Sequence, residues 1–516
     1  MKKNMFKVSL MITGVILCEK ILGFVREVVQ AYFFGTSDFM DSLISANLII
    51  SVFFGWLATI SVAYTPVYKR KDLIGEGVEF TNTVKTLCYL LSVLSLGICI
   101  FFSKQLVAIA LPGFTLEKSL ETVQCLIVLA FSILFMSSTK VNNAYIAANG
   151  YYVRSIIPSI AINVIQIIAL IISLGEKKYI VACGIVTAYF TEWILSVLLA
   201  KKTKLRFRPT LKDKAGIKDI INTIIPITIT YIIDDICTFF DKLFASFLKG
   251  GSISSLAYAN SLRKVIYGVV TVLISTVLYP KVAEYIARKQ DDKARKSISA
   301  VLSILVIIML PVILTFIVMA NEIVTVIFER GAFNTMSTAL TTSSFMAYLL
   351  GLIPLSCNAI ITKYFYANNS AKYCTLLSAI TVGTNVILDA AFFRTLEHTG
   401  LALATSLAVF ITMPAYLFIY VKTGNKEKYN RNSNSKKIVI SGIICVIVSV
   451  VLFLLKPYYA FWFSFGIFRM MIAIFVCLFA ILSAMWIPLA LMKENYFRIL
   501  LVESTNIIHR NGDHSV

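Results

Sequence analysis

Long apolar segments alternate with short polar loops along the whole chain of 516 residues. Most of these segments reach about 20 residues, the length that an α-helix needs to cross a bilayer. The pattern therefore predicts an all-α polytopic membrane protein with about fourteen transmembrane helices. The predicted spans lie near residues 8–34, 38–66, 82–103, 119–146, 152–174, 179–200, 219–248, 253–287, 298–320, 337–366, 373–393, 400–421, 437–456 and 467–492.

Composition agrees with this pattern, since 58% of the residues are hydrophobic and the mean hydropathy is +0.82. The net charge of +21 would suggest nucleic-acid binding in a soluble protein. Here the densest basic clusters all fall on one predicted side, at Lys201–Lys218, Lys281–Lys296 and Lys422–Lys437. Cytoplasmic loops of membrane proteins carry such an excess of Lys and Arg. The charge therefore predicts cytoplasmic N- and C-termini, and we expect no nucleic-acid partner.

The chain lacks the usual signatures of catalysis. Its ten cysteines are scattered without a CxxC spacing, and its three histidines (His398, His509 and His514) lie at loop or tail positions. Neither a phosphate-binding loop nor a GxSxG nucleophile motif occurs in the sequence. We therefore expect neither an enzyme nor a protein that needs an organic cofactor.

Several short motifs recur after the basic linker Lys201–Lys218, at an offset of 213 to 219 residues. Ala46-Asn47 recurs as Ala259-Asn260, and Ala148-Asn149 recurs as Ala367-Asn368. Internal repeats of this size are typical of transporters. The repeat predicts two pseudo-symmetric six-helix lobes in the same orientation, followed by two extra helices. The predicted boundaries are 1–205 and 206–425 for the lobes, 426–492 for the extra helices and 493–516 for a cytoplasmic tail.

The first predicted span carries four charges, Glu19, Lys20, Arg26 and Glu27. At about 100° per residue, these side chains share one polar arc of the helix. A charge in the middle of a bilayer costs at least about 2.5 kcal/mol, so such an arc normally lines a wet cavity or an ion path. The alternative is a set of internal ion pairs that only holds helices together. We expect the arc to face a cavity between the lobes.

Three stretches resemble one family of transporters. ILGFVREVVQAYFFGTSDFMDSL, beginning at Ile21, resembles the first helix and loop of the MurJ/MviN-type lipid II flippases, within the multidrug/oligosaccharidyl-lipid/polysaccharide exporter superfamily. Residues 240–285 are similar to helices 7 and 8 of that family, and residues 327–367 to its loop 9–10 and helix 10. The resemblance implies a central cavity, a lipid groove formed with the last two helices, and location in a bacterial cytoplasmic membrane. It also implies export of an undecaprenyl-pyrophosphate-linked cell-wall precursor.

The resemblance also implies a substrate site. The central cations of the family's first helix correspond to Lys20 and Arg26, but its arginines in helices 2 and 8 fall at Phe54 and Ser261. Arg263 or Lys264 could replace the missing charge. The predicted cargo-binding residues are Lys20, Arg26, Glu27, Asp41, Arg263 and Lys264. Because two cations are missing, a lipid-linked capsule or exopolysaccharide unit stays an alternative cargo to lipid II.

A second set of residues matches the position of a sodium site in the same family. The side chains are Asp241, Asn385, Asp389 and Thr405, with the carbonyl oxygen of Leu401. Asn385 and Asp389 are four residues apart, so both oxygens lie on one helical face, as a hard cation requires. The alternative is a hydrogen-bonded group that binds no metal. The coupling ion could be sodium or a proton, and we expect sodium.

Two other functional classes remain open from the sequence. A cation-coupled multidrug antiporter of the same superfamily would need an acidic and aromatic cavity, whereas Lys20 and Arg26 favour an anion. A membrane scaffold or receptor would gain nothing from intramembrane charges at matched positions in both lobes. We therefore expect a monomeric flippase whose partners are the lipid-linked glycan and membrane lipids, driven by the membrane potential and a cation.

Overall fold

The structure is a computed structural model that describes residues 2–175, 178–273, 279–368, 370–423, 434–460 and 466–492. Its regular elements in those ranges are helices. The first nine are α1 (Lys2–Phe34), α2 (Asp38–Phe54), α3 (Trp56–Leu73), α4 (Gly77–Phe101), α5 (Ser103–Ala110), α6 (Leu116–Ala130), α7 (Ile133–Ala148), α8 (Tyr152–Ser173) and α9 (Lys178–Lys202). The others are α10 (Lys214–Ala245), α11 (Ser252–Leu273), α12 (Tyr279–Ala287), α13 (Asp291–Val318), α14 (Ala320–Phe328), α15 (Thr335–Leu350), α16 (Leu352–Ala367), α17 (Ala371–Phe392), α18 (Glu397–Lys422), α19 (Asn434–Tyr459) and α20 (Ile467–Leu491).

The all-α membrane architecture is confirmed. Within the described ranges, nine helices are long and apolar enough to cross a membrane, or eleven if each of two bent helix pairs is one span. Three further predicted spans coincide with α1, α10 and α11, which are long helices with internal charges. The total of fourteen spans stays a prediction.

Two of the spans predicted as single segments are sharply bent, since α6 and α7 meet at 42° and α15 and α16 meet at 45°. By comparison, α2 and α3 form one continuous span, because Gly55 between them has a helical φ of −63° and ψ of −21°. By contrast, Pro158 and Pro311 lie inside α8 and α13, which continue through them. Neighbouring helices can satisfy the backbone groups that a proline frees.

The helices of the first half, α1–α9, pack mainly on one another, with α1 against α8 and α8 against α9. In the second half, α10–α18, α17 packs on α18 and α11 packs on α15. The halves meet where α10 lies along α2 and α3 and where α11 touches α1 and α2. The predicted lobe boundaries stay a prediction, and the predicted tail 493–516 lies outside the described residues.

The last two helices, α19 and α20, belong with the second half, since they pack on α13 and α14. The Lys456 ammonium of α19 donates to the Glu322 carboxylate at 2.8 Å and to the Val318 carbonyl oxygen at 2.9 Å. Glu322 is only 4% exposed. This ion pair joins α19 to the junction of α13 and α14.

Backbone contacts join the two halves at the end of the bundle that contains Gly35, which we call the Gly35 end. The Ala332 amide donates to the Tyr32 carbonyl oxygen at 2.8 Å, and the Tyr258 hydroxyl donates to the Gly35 carbonyl oxygen at 3.1 Å. Gly251 has a φ of +87°, and a Cβ there would lie 2.8 Å from the Thr36 carbonyl oxygen. Only glycine allows this approach without strain. At the opposite end, the Lys71 end, Lys71 forms an ion pair with Asp213 at 3.0 Å.

Candidate functional site

The charged arc of α1 lies between α8 of the first half and α11 of the second. Arg26 donates to the Gln166 side-chain oxygen at 3.0 Å and forms an ion pair with Glu27 at 3.4 Å. Their side chains are 26% and 27% exposed, so each keeps partial access to its surroundings. Glu27 also interacts electrostatically with Lys264 across the boundary between the halves. The arc therefore contains both ion pairs within the protein and accessible charge.

A row of polar residues on α8 runs beside this arc. Ser159, Asn163 and Gln166 follow the i, i+4, i+7 spacing that places side chains on one helical face. The Asn163 amide donates to the Glu19 carbonyl oxygen at 3.4 Å, and Gln166 accepts from Arg26. The polar face of α8 therefore fixes the rotation of α1, which sets the direction of its charges.

The two predicted cations of α11 lie in different surroundings. Lys264 is exposed and interacts with Glu27, Lys20 and Arg26, whereas the Arg263 guanidinium lies 4.7 Å from the ring centre of Tyr348 and acts on Asp241. Lys264 thus faces the charges of the first half. Arg263 lies by the acidic group of the second half, and its predicted contact with the cargo stays a prediction.

The positions where the family's arginines are missing are occupied by structural side chains. Phe54 is 7% exposed and belongs to the hydrophobic core. The Ser261 hydroxyl donates to the Ala257 carbonyl oxygen of its own helix at 3.0 Å. Lys242 of α10 lies near Lys264 and Asp41, so it brings an additional cation to the second-half wall.

Asp41 is fully enclosed at the Gly35 end, with 1% exposure. Its carboxylate accepts the backbone amides of Gly251 at 2.8 Å and Ser254 at 2.7 Å, at the N-terminus of α11. The Lys118 ammonium donates to the same carboxylate at 2.7 Å. A carboxylate at a helix N-terminus satisfies unpaired amides and the helix dipole together. In this conformation the oxygens of Asp41 hold the two halves together, and its predicted role in cargo binding stays a prediction.

The predicted cation site is an acidic group between α10 and α17. Asp241 lies beside both Asp389 and Asn385, and Asp389 is 0% exposed. In the described structure, both Asp389 carboxylate oxygens and Oδ1 of Asp241 are buried without a hydrogen-bond partner. Asn385 accepts from the Cys237 thiol at 2.7 Å, and Thr405 donates to the Leu401 carbonyl oxygen at 3.1 Å.

The structure brings together Asp241, Asp389 and Asn385, whereas the bond between Thr405 and Leu401 lies within α18. Carboxylate and amide oxygens are the ligands that hard cations prefer. Orphaned carboxylate oxygens in a buried site need a cation or a proton, because two bare carboxylates repel each other. The described residues contain no group of three His, Cys, Asp or Glu arranged for a metal. The neutral oxygens of Asn385, Thr405 and Leu401 would therefore have to complete the coordination, as is usual for a cation of low charge.

Comparison with known proteins decides the family. The family described as "Lipid II flippase MurJ" matches residues 30–475, well over half of the chain. The chain belongs to the MurJ family. A probable lipid II flippase MurJ of Rickettsia prowazekii (strain Madrid E) is 24% identical over 468 residues, which cover 88% of this chain and 91% of the relative. One from Helicobacter pylori (strain ATCC 700392 / 26695) is 30% identical over 224 residues, 43% of this chain and 46% of the relative.

Solved structures agree with this membership. The structure described as "Lipid II flippase MurJ, inward closed conformation" has a TM-score of 0.80 and 23% identity, and covers 94% of this chain and all of the other. An inward-facing multidrug resistance MATE family transporter of the MOP superfamily has a TM-score of 0.63 and 13% identity, and covers 81% of this chain and 100% of the other. At these identities the likeness shows the fold. The chain is thus a multi-pass membrane protein with the MurJ fold.

Sequence reasoning within the MurJ pattern did not assign a role to three charged residues near the site. These residues are Lys242, Lys140 and Glu192. The structure pairs Lys140 with Glu192 at 3.8 Å. The i, i+4, i+7 row on α8 could have indicated that this region has a polar interior, because Ser159 of that row donates to Glu192 at 3.3 Å.

Proposed function

We propose that this chain moves lipid II across the cytoplasmic membrane of a bacterium by alternating access. Membership of the MurJ family supports this function most strongly, because the match covers residues 30–475. The site chemistry agrees, since a pyrophosphate needs cations at a wet surface inside the membrane. Lys20, Arg26 and Lys264 meet that need.

The conformation fits one stage of such a cycle. With cytoplasmic termini, the Gly35 end faces the outside, and the contacts of Asp41 and Gly251 hold that end closed. Arg26 lies eight residues before the end of α1, about 12 Å from its last residue at 1.5 Å per residue. A cargo bound at Arg26 would therefore lie on the cytoplasmic side of the closed Gly35 end. An interior-negative potential of about 100 mV favours outward movement of each negative charge by roughly 2.3 kcal/mol.

Complementation tests this function directly. A bacterium depleted of its own lipid II flippase should grow when it makes this protein, and purified protein in vesicles should move fluorescent lipid II between leaflets. Failure of both, with the protein present in the membrane, would exclude lipid II as the cargo. Movement of a lipid-linked capsule or exopolysaccharide unit in the same vesicles would then identify the alternative cargo. That alternative is kept because the family's arginines are replaced by Phe54 and Ser261.

We further propose that a sodium ion held by Asp241, Asn385, Asp389, Thr405 and the Leu401 carbonyl biases the conformational equilibrium. A bound cation can shift that equilibrium only by its difference in affinity for the two states. The orphaned oxygens of Asp389 and Asp241 support the proposal. Arg263 and Lys242 both lie near Asp241, so they supply part of the charge that balances the two carboxylates, and a bound cation would supply the rest.

Asp389→Asn should abolish the stabilisation of the purified protein by sodium. The expected result is a melting temperature that rises with NaCl relative to choline chloride in the parent protein and stays constant in the variant, because the variant lacks a charged ligand. The exposed Asp292 at the start of α13 supplies the control, so Asp292→Asn should keep the full sodium response. A sodium response that Asp389→Asn leaves intact would remove this site from the coupling mechanism.

A further inference from the structure

Lys140 and Glu192 form an ion pair in the first half that the cargo site described above does not use. The Lys140 ammonium lies 3.8 Å from the Glu192 carboxylate, and the two side chains are 39% and 1% exposed. Lys140 lies eight residues before the end of α7, about 12 Å along the helix. In a membrane protein that depth lies within the hydrocarbon region, where a lysine normally faces a partner or a water-filled cavity.

The geometry of this pair differs from that of a buried structural salt bridge. A charge-assisted hydrogen bond between an ammonium and a carboxylate is about 2.7–2.9 Å long, so a separation of 3.8 Å is too long to be one. The carboxylate also accepts from Ser159 at 3.3 Å, whereas the Lys140 side chain is partly exposed. Glu192 is thus held by the protein, and Lys140 presents its donors to the surroundings.

The polar row of α8 connects this pair with Arg26. Ser159 touches Glu192, and Gln166, seven residues further, touches Arg26. Seven residues of helix span about 10 Å, so the two contacts lie at different depths along one wall. Asn163 lies between them and binds the backbone of Glu19, the neighbour of Lys20. From the Lys71 end towards the Gly35 end, the polar row of α8 is therefore bordered in turn by Lys140, Lys20 and Arg26.

We infer that Lys140 is a further anion-binding residue of the transport path, where the cargo pyrophosphate first contacts the protein, and that Glu192 holds its ammonium until the anion arrives. The inference rests on the proposed function and deepens it. Because Lys140 lies nearer the Lys71 end than Arg26, an anion that enters from the cytoplasm reaches it first.

Binding of lipid II to the purified, detergent-solubilised protein provides the test. Lys140→Met should weaken binding about tenfold, since it removes a charge-assisted contact with phosphate. Glu192→Gln should strengthen binding several-fold, because the intramolecular competitor is lost. Adding Lys140→Met to Glu192→Gln should cancel that gain, and Lys140→Arg should retain binding. Lys69→Met removes an exposed cation outside this wall and should leave the affinity unchanged.

Opposite effects of the two single substitutions distinguish anion binding from a purely structural ion pair. If the pair is purely structural, Lys140→Met and Glu192→Gln should both lower the melting temperature, and the folded protein should bind lipid II with the affinity of the parent in both variants. That result would overturn the inference. The double variant has no unpaired buried charge, so it reports on binding even if Lys140→Met alone folds poorly. If the parent protein itself bound no lipid II, the proposed function would fail instead.

Discussion

Asp41→Ala is expected to open the Gly35 end of the protein. The substitution removes the acceptor for two α11 amides and one carboxylate partner of Lys118, whose side chain is 12% exposed. A hydrogen bond to a charged group contributes about 1.5–3 kcal/mol, so losing the two amide bonds costs about 3 kcal/mol or more, which corresponds to a shift of roughly a hundredfold in the equilibrium between closed and open states. The loss of the two amide contacts falls on the closed state only, because they join the two halves, whereas Lys118 lies in the same half as Asp41.

Distance measurements across the Gly35 end check this result. Spin labels at Leu116→Cys and Met336→Cys, both exposed and on opposite halves, should report a longer distance in Asp41→Ala, after the exposed Cys18 and Cys183 are replaced. Asp38 provides a matched control, since it also binds Lys118, at 2.8 Å, but is 68% exposed. Asp38→Ala should retain the short distance. An unchanged distance distribution in Asp41→Ala would contradict the role of Asp41 in closing this end.

Arg26→Ala should abolish transport. Arg26 is held by Gln166 and Glu27, and its Nε atom is buried without a hydrogen-bond partner in the described structure. The substitution removes the predicted pyrophosphate contact and leaves Glu27 without its neighbouring cation, which adds a penalty to the lost contact. We expect the rate of lipid II movement to fall at least a hundredfold, because the energy of a charged hydrogen bond is lost and that penalty is added.

Growth of a flippase-depleted strain and vesicle transport both measure this effect. Arg26→Lys should keep part of the activity, because a lysine retains the charge but loses the two-pronged geometry of the guanidinium. Arg154 stands at the start of α8 over the Tyr151 ring, and Arg154→Ala controls for the loss of an arginine elsewhere. A strain that grows normally with Arg26→Ala as its only copy would refute the predicted role of Arg26.

The sequence predicted the helices well because hydrophobic length is a local property. Most predicted spans coincide with helices, including the first span, which carries the charged arc and corresponds to α1. The bends in α6–α7 and α15–α16 escaped prediction, since a hydropathy window averages over a single break. Prolines gave no guidance, because Pro158 and Pro311 lie in helices that continue through them.

The site was predictable only in part for a related reason. The charges of α1 could be placed on one arc from their spacing, but their partners depend on which helices pack together. That Arg26 meets Gln166 follows from the packing of α1 on α8, and that Asp41 meets Gly251 follows from the contact between the halves. Neither contact has a signal in the local sequence. Arg263 and Lys264 are adjacent in sequence, yet only the tertiary structure shows that they face different surroundings.

The ion pair between Lys456 and Glu322 has a consequence for how the protein is made. The two residues are 134 positions apart, and a ribosome adds about 5–20 residues per second. Glu322 is therefore synthesised roughly 7 to 27 s before Lys456. During that interval, the junction of α13 and α14 holds an acid whose partner has not been synthesised. The second half can therefore reach its final packing only after the ribosome has finished α19.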